Sequence, residues 1–183
     1  MRLNKIRNLC LFIIIVVCSL SCHDDKEVGS TRKLFDLNWK FSYESSSAAY
    51  KVDFDDSAWQ HVDFPHKIAR IPEDKQSKYN SVVNDTIWYR KTFDIPGSWE
   101  RKTIYVVFEG ISHVEIIFVN GEMLSFSDCD NNSCRVLISP NLLHNTTNLI
   151  AFPVSVENSP VSYEKSNGVL GVYKHVWLQI EEP

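Results

Sequence analysis

The chain has 183 residues, of which 44% are hydrophobic, 12% aromatic and 23% charged. That is the composition of one globular domain with a real core, and it excludes a disordered, collagenous or disulfide-dense polypeptide. The net charge of −4 excludes nucleic acid as a partner, because Arg2, Lys5 and Arg7 fall in an acid-free leader and the remainder is more acidic still.

Residues 1–8 are basic and polar, and Leu9 to Leu20 form an unbroken run ending at small residues around Ser21. The run is shorter than the ~20 apolar residues a membrane-spanning helix needs, so residues 1–21 read as a secretory leader. Ser19-Leu20-Ser21-Cys22 resembles a bacterial lipobox, in which the cysteine becomes the lipidated first residue. On that reading Cys22 anchors the protein to a membrane, as expected of an exported outer-membrane lipoprotein of a Gram-negative bacterium. Residues 22–33, with the charged cluster His23-Asp24-Asp25-Lys26-Glu27 followed by Gly29-Ser30-Thr31-Arg32-Lys33, read as a flexible tether. The folded domain is placed at 34–183.

From Leu34 the apolar period is two, the signature of strands with one buried face. Trp39, Phe41 and Tyr43 alternate with polar residues. Ile87, Tyr89, Phe93 and Ile95 share one face of the next segment, and Trp88, Arg90, Thr92 and Asp94 the other. Further strands are predicted at 103–108, 113–119 and 123–126, with Asn120-Gly121 as a type I′ hairpin turn because both positions favour positive φ. Three more are predicted at 134–138, 149–156 and 172–180. A single helical turn is predicted at Pro140 to His144, capped by Ser139. The fold class is all-β, a jelly-roll β-sandwich.

The chemistry-bearing motifs are few. Asp53, Asp55 and Ser57 stand at calcium-loop spacing, but Ala58 occupies the position that demands glycine and Phe64 the one that demands a bidentate glutamate, so the cluster reads as a polar turn. The six histidines are scattered singly, and neither a metal nor a cofactor is expected. There is no nucleophile elbow, phosphate loop or dinucleotide fingerprint. Cys129 and Cys134 flank a polar loop, and an oxidising compartment would let them close it as a disulfide.

Four stretches, taken in order, resemble the N-terminal sugar-binding domain of glycoside hydrolase family 2, the β-galactosidase and β-glucuronidase family. They are Phe54-Asp55-Asp56-Ser57-Ala58-Trp59 through Phe64-Pro65-His66, Trp88-Tyr89-Arg90 through Pro96, Phe108-Glu109-Gly110-Ile111 through Val119-Asn120-Gly121, and Gly171-Val172-Tyr173 through Trp177-Leu178. The resemblance implies a galactose-binding-domain-like jelly roll. By position in its loops it nominates His66, Lys67, Ser166 and Asn167 as sugar contacts. Two departures stand beside it. Lys67-Ile68 replace an Asp-Trp or Asn-Trp pair after Pro-His, and Lys165-Ser166 replace an Arg-Trp pair before the last strand. The family's catalytic glutamates lie on a (β/α)₈ barrel that 183 residues cannot hold beside the sandwich, so no catalytic residue is assigned. The reading is a non-catalytic carbohydrate-binding or accessory domain. Its alternatives are the N-terminal fragment of a β-galactosidase- or β-glucuronidase-type hydrolase, separated from its catalytic domains, and a protein-interaction module of a surface complex.

Overall fold

The structure is a computed structural model that describes residues 29–43, 46–68, 86–130, 133–142, 146–155 and 170–183. The leader, Cys22 and most of the tether lie outside the described residues, as do Ser166 and Asn167. Among the described residues no helix is long and apolar enough to cross a membrane.

Among the described residues every paired strand is antiparallel. One sheet contains β1 (Ser30–Leu34), β14 (Val176–Glu181), β6 (Thr103–Phe108), β11 (Ser133–Leu137) and β10 (Asp128–Asp130), side by side in that order. The second runs β3 (Gln60–Val62), β2 (Trp39–Ser42), β5 (Thr86–Asp94), β12 (Thr147–Ser155), β8 (Ile116–Val119) and β9 (Glu122–Ser125). A small third sheet joins β4 (His66–Ile68), β13 (Leu170–Val172) and β7 (Ile111–Ser112).

The two large sheets meet face to face through the apolar set that the period of two selects. Phe108 of β6 meets Phe152 of β12 edge-on, with ring centroids 5.5 Å apart, and Phe152 stacks on Tyr89 of β5 at 5.1 Å. Trp39 of β2 is wholly buried against Phe64 and Phe152, and its indole N–H donates to the Phe35 carbonyl at 2.8 Å. That bond gives the amphipathic ring a polar partner inside the core, which a buried indole requires. The sandwich is therefore closed by aromatic rings from both sheets, and the fold is the all-β jelly roll expected from the sequence.

Several boundaries differ from the expectation for identifiable reasons. Ser30–Lys33, assigned by composition to the tether, pair with Gln179 to Glu181 and Leu178 as an edge strand, all of it exposed. The segment predicted as one strand from His113 to Val119 starts at Ile116, because His113 takes φ 59°. The segment predicted as one strand from Val172 to Ile180 is two strands in different sheets, with Tyr173–His175 carrying the chain between them. At Ser139–Asn141 the turn is a short 3-10 turn with Pro140 near its start, and no side chain caps it. Asn120 and Gly121 do take positive φ, 51° and 88°, as a type I′ turn needs.

Candidate functional site

Of the nominated sugar contacts, His66 and Lys67 lie on β4. The small sheet places His66 opposite Val172 and Lys67 opposite Gly171. Neighbouring residues of a strand project to opposite faces, so the two side chains part. Lys67 is exposed, whereas His66 turns inward: its Nδ1 is 2.7 Å from the Tyr89 hydroxyl, and its ring packs edge-on against Phe41 at 4.8 Å. Burial holds the His66 imidazole below its ordinary value and pushes the Tyr89 phenol well above its own. Gly171, at φ 78°, lets the backbone pass over this pair, since a Cβ there would sit 3.0 Å from the Tyr89 hydroxyl. The described part of the nominated site is thus a contact between the half-buried His66 and the buried Tyr89, and one exposed lysine facing away from it.

The acidic cluster has a structural role that the sequence did not reveal. Arg90 of β5 is 2% exposed on the outer face of the six-stranded sheet, where the expected alternation made it solvent-facing. Residues 46–59 fold over that face, and Ala49, Tyr50 and Trp59 pack with Trp88, Phe118 and Ala151. Asp56 provides the counter-charge, accepting from Arg90 Nε at 2.8 Å and from Lys40 Nζ at 2.5 Å. The guanidinium also donates to the carbonyls of Ala49 and Lys51 and lies over the Phe54 ring. The Phe-Asp-Asp-Ser-Ala-Trp stretch is accordingly a clamp on a buried arginine, and its carboxylates are not gathered for a metal. Among the described residues no group of three metal-ligating side chains converges.

A buried carboxylate, Asp36, links the segment before β2 to the start of β14. Asp36 is 3% exposed, and its Oδ1 accepts the Val176 N–H at 2.7 Å. Its Oδ2 lies 2.6 Å from Nδ1 of His175, whose imidazole is held above its ordinary value by that hydrogen bond and by the negative charge behind it.

The outer face of the five-stranded sheet carries an open polar surface. Its register sets Arg32 opposite Gln179, Gln179 opposite Tyr105, and Arg135 opposite both Val107 and Asp128. A cleft of about 330 Å³ opens across these strands, lined by Arg32, Gln179, Val107, Arg135, Asp128 and Asp130. Arg32 donates from Nε and Nη2 to Gln179 Oε1 at 3.2 and 3.0 Å, leaving Nη1 4.0 Å from Glu109. Arg135 lies over the Tyr105 ring at 4.9 Å, and its Nε is 3.6 Å from Asp128, too far for a hydrogen bond. Among the described residues no other acceptor reaches that Nε. Cys129 and Cys134 stand directly opposite each other and are joined by a disulfide, which fixes β10 to the sheet. Sequence reasoning could not find this cleft, because five strands far apart in the chain assemble it.

No family model matches the chain. It is 32% identical over 157 residues to a β-galactosidase of Thermoanaerobacter pseudethanolicus, covering 80% of this chain and 20% of that protein. It is 26% identical to a β-galactosidase of Bacteroides ovatus, covering 83% of this chain and 18% of the relative. Among solved structures, a calcium-binding mutant of Bacteroides uniformis β-glucuronidase 2 superposes with a TM-score of 0.67 at 26% identity, covering 83% of this chain and 18% of that one. A glycosyl hydrolase family 2 member from Bacteroides cellulosilyticus gives 0.65 at 25% identity, with 81% and 20% covered. The chain thus spans about a fifth of the length of the curated relatives it matches.

Proposed function

We propose that this relative of glycoside hydrolase family 2, which corresponds to a jelly-roll portion of those enzymes, is a non-catalytic carbohydrate-binding module, exported and held at the outer membrane by lipid on Cys22. The observation that carries the binding part is the open cleft on the five-stranded sheet, where arginine donors and aspartate acceptors share one concave surface. Sugar hydroxyls both donate and accept, so a surface offering both roles suits them better than a surface of one sign.

Glycoside hydrolysis uses two carboxyl groups flanking the scissile bond from opposite sides of the sugar. Asp128 and Asp130 both stand on β10 and line one wall of the cleft. The test is retention of the full chain on immobilised plant and host polysaccharides, assayed beside hydrolysis of chromogenic galactosides and glucuronides. Retention without turnover is the expected result; loss of retention across the panel overturns the reading. For the anchor, labelling with a fatty-acid analogue in a Gram-negative host should mark the wild-type chain and not Cys22→Ser.

A second reading is favoured by the length comparison, in which about four fifths of each relative lies outside the match. On it the chain is the non-catalytic portion of a longer β-galactosidase- or β-glucuronidase-type hydrolase. Reading the coding sequence beyond Pro183 decides between the two: an in-frame barrel supports the longer enzyme, and a stop codon supports the free-standing module.

A further inference from the structure

We infer that the sugar subsite is the cleft between β1 and β10, that it grips the vicinal hydroxyls of a terminal hexopyranose between Arg135 and the Asp128–Asp130 pair, and that the Cys129–Cys134 disulfide holds its acidic wall in place. The inference rests on the binding function proposed above and supplies its location and ligand chemistry.

A pair of adjacent hydroxyls can donate two protons to carboxylate oxygens and accept from a guanidinium through its lone pairs. Arginine only donates and ionised aspartate only accepts, so the two together satisfy a diol completely. The cleft offers this set on neighbouring strands, since Arg135 of β11 faces Asp128 of β10 in register and Asp130 lies on the same side of β10 two residues on. At 3.6 Å the Arg135–Asp128 pair is loosely engaged; Arg135 Nε itself is buried, but the side chain as a whole is 41% exposed. The exposed part of the guanidinium therefore stands beside two exposed carboxylates. Val107 supplies an apolar strip between the two sides for the C–H face of the ring.

The opposite wall belongs to β1 and β14. Arg32 and Gln179 are already bonded to each other, and Gln179 Nε2 donates to Glu181 at 2.7 Å. That wall is prearranged, with Arg32 lining the cleft and its Nη1 4.0 Å from Glu109. The volume of about 330 Å³ lies at the small end of the roughly 300–1,000 Å³ typical of small-molecule sites, which fits the end of a glycan better than the middle of a polymer chain.

The acidic wall is the least supported element of the sheet. β10 is a three-residue edge strand, every residue exposed, and among the described residues it pairs with β11 alone. The disulfide joins its middle residue, Cys129, to Cys134, so the two aspartates flank a covalent staple. A saccharide held through both strands then depends on the oxidation state of that staple.

The experiment is a titration of the isotopically labelled full chain with lactose and, in parallel, with methyl β-glucuronide, followed by amide chemical-shift changes. Expected are saturable shifts concentrated at residues 32, 107, 128–130, 134–135 and 179. Affinity should fall at least tenfold in Asp130→Asn and also in the Cys129→Ser/Cys134→Ser double variant, with the dispersed core spectrum retained and Lys67→Ala binding as wild type. Binding mapped to β4 and β13, or an Asp130→Asn variant as tight as wild type, overturns the subsite and leaves the binding function standing. Absence of saturable shifts with both sugars overturns the subsite; if polysaccharide retention is absent as well, the binding function falls with it.

Discussion

Replacing Asp56 by Asn tests whether the acidic cluster serves as a clamp. Arg90 would stay buried, at 2% exposure, with its counter-charge gone and only the carbonyls of Ala49 and Lys51 and the rings of Phe54 and Trp59 around it. Removing one partner of a buried ion pair costs about 3–5 kcal/mol, because an uncompensated charge is left behind. Asp56 keeps 17% of its side chain in solvent, and the amide oxygen of Asn can still accept one hydrogen bond, so a loss of about 2–3 kcal/mol is expected. For a domain of this size that lowers the melting temperature by roughly 5–10 °C, read by far-ultraviolet circular dichroism at pH 7. Lys40, on the solvent side of the same carboxylate, contributes little, and Lys40→Met should cost under about 1 kcal/mol. The pH dependence carries the same signature. Burial pushes the Asp56 carboxyl up, but the hydrogen bonds and charges of Lys40 and Arg90 outweigh it and hold the group below its ordinary 3.8. A carboxyl depressed in the folded state stabilises fully above its unfolded value and loses that contribution as pH falls through the folded one. The gap between wild type and Asp56→Asn should therefore be wide at pH 7 and close below about pH 4. A variant melting within a degree of wild type, or a gap indifferent to acid, would refute the clamp.

Three further outcomes follow from the described geometry. Gly171→Ala should lose about 1–2 kcal/mol in urea unfolding, since the residue holds φ 78° and the new methyl would press on the Tyr89 hydroxyl; an unchanged midpoint refutes it. His66→Ala leaves the fully buried Tyr89 hydroxyl without its imidazole partner and should cost about 1–3 kcal/mol, part of it recovered by adding Tyr89→Phe. A failure of the second change to compensate would show that packing, not the hydrogen bond, dominates. His175 should titrate above 6.5 by proton resonance, and Asp36→Asn should bring it back down. A raised folded pKa means the stabilisation is complete below the unfolded value and fades as pH rises through the folded one. Wild type should therefore lose more stability than His175→Gln on going from pH 6 to alkaline solution.

The strand pattern was legible in the sequence because it is local. Trp39, Phe41, Tyr89 and Phe93 announce their face by alternation, and Asn120-Gly121 announces its turn by the φ values those residues tolerate. What failed was non-local. Ser30–Leu34 carries no apolar alternation, and only its pairing with β14, some 150 residues on, makes it a strand. Arg90 reads as solvent-facing until residues 46–59 cover it, so its bond to Asp56 is invisible to any local window. The nominated contacts His66 and Lys67 are adjacent in sequence and diverge in space, as strand neighbours must. The cleft draws on β1, β6, β10, β11 and β14, and no short motif could encode it.

Because β1 lies antiparallel beside β14, with Ser30 opposite Glu181, the polypeptide enters and leaves the sandwich at one corner. Neighbouring strands place such residues only about 5 Å apart. A domain with adjacent ports can be spliced into a host loop without separating the loop's ends, or hung from a surface with its far side free to sweep a volume.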